Sequence, residues 1–286
     1  MRRRHAVLDS AAGLTPFGHA GWGYRDRGEF FSRAAEYIAD GLRHHQYIAY
    51  AGERTGAALR AELAEMPGVG EYLDSGGIEV ASTEDYYVYL PGSNVIDAGG
   101  SLDKYLAGVE QAVAAGYTGF RAVSDATPIA RTAEQRDALA RLEYLVDQQM
   151  AVLPFSALCA YDVSQLGAAA EELMCLHPYV SKGSTTFRLY ADPAGDVDFA
   201  LTGEIDAAAT KLFATTLRRI WPIQSRHTLR IGAHELEFLS HQQVFLLEEW
   251  AREQDREVVL STNRAAIVRL VDVLDLTHVR TDANHV

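Results

Sequence analysis

Apolar runs alternate with helical patterns through the first two thirds of the chain. Residues 45–51, His-Gln-Tyr-Ile-Ala-Tyr-Ala, read as a strand, and residues 55–65 follow with helical spacing. Residues 78–81 form the next short apolar run. A helix over 101–115 leads into a strand at 119–123, and a second helix over 132–150 leads into an apolar run over 152–161. Strands separated by helices at this spacing predict a mainly parallel sheet covered on both faces.

The pattern changes near residues 178–186. Residues 185–190 and the alternating run that begins at Val197 flank Asp192-Pro193-Ala194-Gly195-Asp196, which predicts a hairpin. The second run is expected to turn at Gly203 into a helix over 206–220, followed by a strand over 228–238 and a helix over 241–254. A strand over 257–260 and a helix over 263–274 complete the pattern. The expected organisation is a flexible start over 1–13, a first domain over 14–180, a short connector, a second domain over 185–280 and a tail over 281–286. A length of 286 residues with 48% hydrophobic content supports two separate cores.

Charge narrows the partners. The net charge of -13 argues against direct contact with nucleic acid, whose phosphates need a concentrated Lys/Arg face, and Arg2-Arg3-Arg4 is the only basic cluster. No apolar run is long enough for a signal peptide or a membrane span, so a cytoplasmic protein is expected. Cys159 and Cys175 form no CxxC pair, so both are expected as buried, reduced thiols, with no metal site and no cofactor.

Enzyme motifs are sparse. Ala51-Gly52-Glu53-Arg54-Thr55-Gly56 follows a strand but lacks the Gly-Lys-Ser/Thr ending of a phosphate loop, and Glu53 would repel a phosphate. Gly-x-Ser-x-Gly and His-Glu-x-x-His are both missing. Cys159 with His19 or His177 offers a nucleophile and a base only if the fold brings them together. A lone histidine such as His19 reads either as a packed structural residue or as a ligand contact.

Three N-terminal motifs stand out: His19-Ala20-Gly21-Trp22-Gly23-Tyr24, Cys159-Ala160-Tyr161-Asp162 and the closing His177-Pro178. Their order resembles the MEDS domain, a methanogen and methylotroph sensory domain, over residues 14–180. The resemblance implies a non-catalytic sensor of small hydrocarbon-like molecules, on a RecA-like, mainly parallel α/β sheet without the phosphate loop. It also implies ligand contacts from His19, Trp22, Tyr24, Arg121, Asp125, Cys159, Tyr161 and His177, at a crevice by the carboxyl ends of the strands.

In the second half, Leu201-Thr202-Gly203-Glu204-Ile205-Asp206 and the corner Phe238-Leu239-Ser240-His241-Gln242-Gln243 resemble a STAS domain of the anti-sigma-factor antagonist type. That resemblance implies a mixed sheet with helices over 185–280 and a surface that binds an anti-sigma factor or a related GHKL-type kinase-like protein. Asp206, Ser240, His241, Gln242 and Gln243 would lie on it. The family's usual Asp-Ser-Ser/Thr-Gly is replaced here, with His241 where the phosphorylated serine would stand. Ser240 with Gln243 reads either as a Ser-x-x-Gln capping box or as a modified phosphorylation site. The resulting expectation is a non-catalytic signalling protein. A homo-oligomeric, stressosome-like scaffold and a metal- or cofactor-binding enzyme built on His19, Cys159, Tyr161 and His177 are the alternatives.

Overall fold

The computed structural model describes residues 3–14, 17–192 and 197–282. Two compact units account for the chain, residues 5–184 and residues 185–286 with the first four residues. Among the described residues no helix is long and apolar enough to cross a membrane.

The first unit runs β1 (Ala6–Leu8), β2 (His19–Tyr24), α1 (Arg27–Arg43), β3 (Tyr47–Gly52), α2 (Gly56–Ala64), β4 (Ile78–Ser82), α3 (Thr83–Tyr86), α4 (Ala98–Ala114) and β5 (Phe120–Asp125). It continues through α5 (Ala133–Met150), β6 (Phe155–Asp162), α6 (Val163–Leu166), α7 (Glu171–Met174) and β7 (Tyr179–Ser181). The seven strands form a parallel sheet in the order β1-β7-β2-β6-β5-β3-β4. Every residue of β5 is buried, as a central strand covered on both faces requires.

Three of the elements that were not among the expectations shape this sheet. Helix α1 is capped by Asp26, whose carboxylate accepts from Glu29 N, and buries the stripe Phe30, Ala34, Tyr37, Ile38 and Gly41 against the sheet. Strand β1 lies in the segment expected to be flexible, and β7 straddles the expected end of the first domain at residue 180, because these two three-residue runs pair with each other: Ala6 to Tyr179 and Leu8 to Ser181. Runs this short carry no periodic signal of their own; a neighbouring strand makes them strands.

The second unit runs β8 (Phe187–Tyr190), β9 (Phe199–Ile205), α8 (Thr210–Ile220), β10 (Thr228–Leu239), α9 (His241–Glu253), β11 (Glu257–Ser261), α10 (Ala265–Leu274) and β12 (Val279–Asp282). Its five-stranded sheet has the order β12-β11-β10-β9-β8, antiparallel between β8 and β9 and parallel elsewhere. Both units are α/β, one with a parallel and one with a mixed sheet. The hairpin tip at 193–196 and residues 283–286 of the expected tail lie outside the described residues, as do Met1 and Arg2 of the basic start. Thr281 and Asp282, assigned to that tail, instead pair with Leu260 and Ser261.

Gly203 does not end β9. It sits inside the strand at φ +85°, where a β-carbon would collide with the Thr186 carbonyl oxygen, so the glycine permits a kink that L side chains resist. Helix α8 accordingly begins at Thr210 rather than at residue 206, and Asp206 accepts from Ala209 N at 3.0 Å in the preceding turn.

Candidate functional site

The alternation of side chains along a strand decides which candidate residues meet. In the parallel register His19 aligns with Ala157, Gly21 with Cys159 and Gly23 with Tyr161, so His19, Cys159 and Tyr161 project to one face. Ala20, Trp22 and Tyr24 project to the other face and pack with Phe30 and Ile38 of α1. The eight residues expected to share one pocket therefore divide between two faces of the sheet.

Trp22, Tyr24, Arg121 and Asp125 lie on the α1 face and are occupied structurally. Arg121 is fully buried; its Nη1 donates to the Tyr37 carbonyl at 2.8 Å and to Asp40 Oδ2 at 3.2 Å, and its Nη2 donates to the Leu14 carbonyl at 2.8 Å. Gly41 makes room for it, since a β-carbon there would stand 2.6 Å from Arg121 Cδ. Asp125 accepts from the Tyr24 hydroxyl at 3.0 Å, from Arg27 Nη1 at 2.9 Å and from Thr127 N at 3.2 Å. Trp22 lies beneath the Arg33 guanidinium.

On the opposite face, His19, Cys159, Tyr161 and His177 converge with two α5 carboxylates that the sequence reading missed. Glu143 and Asp147 are four residues apart, one helical turn, and point into the same buried layer. His19 Nδ1 faces Asp147 Oδ1 at 3.0 Å and Nε2 faces Glu143 Oε2 at 3.0 Å. The Tyr161 hydroxyl donates to Glu143 Oε1 at 2.6 Å, and Cys159 Sγ lies 3.5 Å from Glu143 Oε2 and 3.6 Å from His19 Nε2. His177 directs Nδ1 to the Leu173 carbonyl at 3.1 Å, and its ring centroid lies 4.0 Å from that of His19. A signal for the two acids was available, since they interrupt an otherwise apolar stripe on a helix.

Burial and charge set the protonation of this cluster. Burial opposes a charge on His19, but its hydrogen bonds to Asp147 and Glu143 outweigh that cost and raise its pKa. Burial and the adjacent His19 lower that of His177. Burial would raise Glu143, yet the two histidines hold it well below the usual carboxylate range. The Cys159 thiol is pushed up by burial and by Glu143, the reverse of an activated thiolate. Cys175 is likewise buried and outside any disulfide.

Two surface cavities in this unit are lined by none of the eight candidates. The larger, about 530 Å³, is lined by Glu53, Thr83, Glu84, Tyr89, Arg131, Thr132 and Gln135, among others. It lies beyond the carboxyl ends of β3, β4 and β5, where the crossover from β3 runs towards β4 and that from β5 runs towards β6 on the other side. Such a reversal is where open parallel sheets form their ligand crevice. Glu53 takes both guanidinium branches of Arg131, at 2.7 and 2.9 Å, at the position where a phosphate loop would be sought; that pairing also lowers the carboxylate's pKa.

In the second unit the corner between β10 and α9 differs from the capping box. Ser240 is the N-cap by position, but its hydroxyl makes no capping hydrogen bond and is buried without a partner among the described residues. Its N–H is already bonded to the Ile205 carbonyl, so Gln243 has no free amide to reach back to. Gln243 Nε2 instead donates to the Asp206 carbonyl at 2.8 Å and to Thr210 Oγ1 at 2.9 Å, tying α9 to the β9–α8 turn. His241 and Gln242 are exposed, and Phe238 and Phe245 are about half exposed beside them.

No curated protein matches the chain. The family profile described as MEDS, MEthanogen/methylotroph, DcmR Sensory domain, matches residues 18–178, an interval that opens one residue before His19 and closes one residue after His177. More than half of the 286 residues are covered, and the chain belongs to the MEDS family.

Proposed function

We propose that this protein is a non-catalytic signalling regulator, in which the MEDS domain senses a small molecule and the C-terminal unit is a STAS-like output that binds an anti-sigma factor or a related kinase-like protein. Membership of a sensory-domain family gives the regulatory role. The observation that carries the output is the β10–α9 corner. His241 and Gln242 are exposed there between two half-exposed phenylalanines, Phe238 and Phe245, at the position where STAS antagonists meet their partners. The crossover pattern of the five-stranded sheet, one antiparallel strand and four parallel ones, is in keeping with this reading.

Small-molecule sensing fits the crevice beyond β3, β4 and β5, whose volume of about 530 Å³ lies within the usual range for ligand sites. A ligand would change partner affinity only as far as it binds two states of the protein differently.

The test is crosslinking and capture with the full chain in its native host, followed by direct binding of the captured, purified protein. Capture of a GHKL-type protein whose binding weakens at least tenfold on Phe245→Asp supports the proposal. A full chain that retains no such partner, or one whose binding ignores both Phe245→Asp and His241→Glu, overturns it.

A further inference from the structure

We infer that His19, Glu143, Cys159 and His177 form a binding site for one divalent transition-metal ion of the zinc class. The inference holds whether or not the C-terminal unit docks a partner.

The donor set is a cysteine sulfur, two imidazoles and a carboxylate, side chains that such an ion takes once the thiol and His19 give up a proton. One ligand atom from each residue lies within 4.8 Å of all the others. Bond lengths of about 2.0–2.1 Å to nitrogen or oxygen and about 2.3 Å to sulfur imply tetrahedron edges of about 3.3 Å, or about 3.6 Å where sulfur takes part. The contacts run 3.0 Å from His19 Nε2 to Glu143 Oε2, 3.5 Å from His177 Nε2 to the same oxygen, 3.5 Å from Cys159 Sγ to that oxygen and 3.6 Å from Cys159 Sγ to His19 Nε2. Four of the six edges therefore already stand near those of a tetrahedral site, and the other two, from His177 Nε2 to His19 Nε2 and to Cys159 Sγ, are no longer than 4.8 Å.

The outer contacts are those that metal-bound histidines use. Each imidazole has its Nδ1 held by an acceptor, Asp147 for His19 and the Leu173 carbonyl for His177, which directs both Nε2 atoms into the cluster. The Tyr161 hydroxyl holds the remaining oxygen of Glu143. The independent observation is His177 Nε2. It belongs to a side chain with no exposed surface, points into the cluster, and makes no hydrogen bond among the described residues. A buried imidazole nitrogen left so is costly unless something else occupies it. Binding M²⁺ would displace the thiol proton of Cys159 and the Nε2 proton of His19, both of which pass to solvent.

The full chain, purified without a metal-affinity step, should contain about one equivalent of a single transition metal by elemental analysis. After chelation, Co²⁺ should restore tetrahedral ligand-field bands together with a thiolate-to-cobalt charge-transfer band. Cys159→Ser should remove the charge-transfer band and Cys175→Ser should leave it. Asp147→Asn should weaken Zn²⁺ binding by about 10- to 100-fold without removing a ligand. Far-UV circular dichroism establishes that each variant is folded, and the wild-type titration carries the test if a variant is not. A folded wild-type chain that takes up neither Zn²⁺ nor Co²⁺ stoichiometrically in equilibrium dialysis overturns the inference, as does a charge-transfer band that persists in Cys159→Ser.

Discussion

A β-carbon on Gly21 would stand 2.9 Å from Nδ1 of His177 and 3.0 Å from its Cγ, so the His177 ring rests directly on the bare backbone of β2. The ring is also held at Nδ1 by the Leu173 carbonyl, and no exposed surface gives it room to retreat. Gly21→Ala should therefore displace His177, and forcing an extra methyl into so tight a layer should cost about 1–3 kcal/mol of stability in denaturant unfolding. Val180, aligned with Gly21 across β2 and β7, is a nearby buried control: Val180→Ala should destabilise through lost packing without moving the histidine ring.

Arg121 is expected to behave as a structural residue rather than as a ligand contact. Its removal takes the guanidinium donor from the buried Tyr37 and Leu14 carbonyls and one cation from Asp40, which keeps Arg43 at 3.0 Å. Arg121→Ala should cost about 3 kcal/mol or more, read from the urea midpoint. Arg121→Lys should recover only part of that loss, because an ammonium cannot span the three acceptors that the guanidinium fork reaches.

At the β10–α9 corner the two polar residues should have opposite consequences. Ser240→Ala should change stability by no more than about 0.5 kcal/mol, since the hydroxyl caps nothing and is buried without a partner among the described residues. Gln243→Ala should cost about 1–2 kcal/mol, because it removes the two hydrogen bonds that hold α9 to the β9–α8 turn. A capping box would require Ser240→Ala to be the costly change, so thermal unfolding of the pair separates the two geometries.

Glu248 should make the second unit acid-sensitive. Its carboxylate accepts from the backbone N–H groups of Thr277, His278 and Val279 and from the His278 ring, gathering the start of β12. Burial acts to raise its pKa, but these hydrogen bonds outweigh that and lower it below the ordinary 4.5. With the folded-state pKa lowered, the contribution is full above the unfolded-state value and is lost as pH falls through the folded-state one. Stability measured from pH 6 down to pH 3 should thus fall more steeply in the wild type than in Glu248→Ala, and the variant should be weaker by about 1–2 kcal/mol near neutrality.

Long periodic elements were legible without coordinates. Helix α5, the apolar strand that became β6, and the second-unit succession from β10 to α10 all lie within a few residues of where the hydrophobic pattern put them. Helix α1 was legible too, in Asp26 and the stripe from Phe30 to Gly41, but the aromatic cluster before it drew the reading towards a pocket. What local pattern could not supply was the pairing of β1 with β7, two three-residue runs more than 170 positions apart.

The sequence by itself determined that this chain builds two α/β units, that the first carries the His19, Cys159-x-Tyr161 and His177-Pro178 signature, and that the Gly52–Gly56 turn has no lysine for a phosphate. These follow from side-chain period and from chemistry carried by adjacent residues, which need no tertiary information. Only the tertiary structure decided that the eight candidates part across the sheet, because the face a strand residue occupies relative to residues on other strands depends on register. Only it could add Glu143 and Asp147 to the cluster, since helix α5 meets β2 through contacts more than 120 residues apart in sequence. It also decided that the Ser240 hydroxyl caps nothing, because the amide Gln243 would have served was already taken by Ile205, a backbone partner 35 residues earlier.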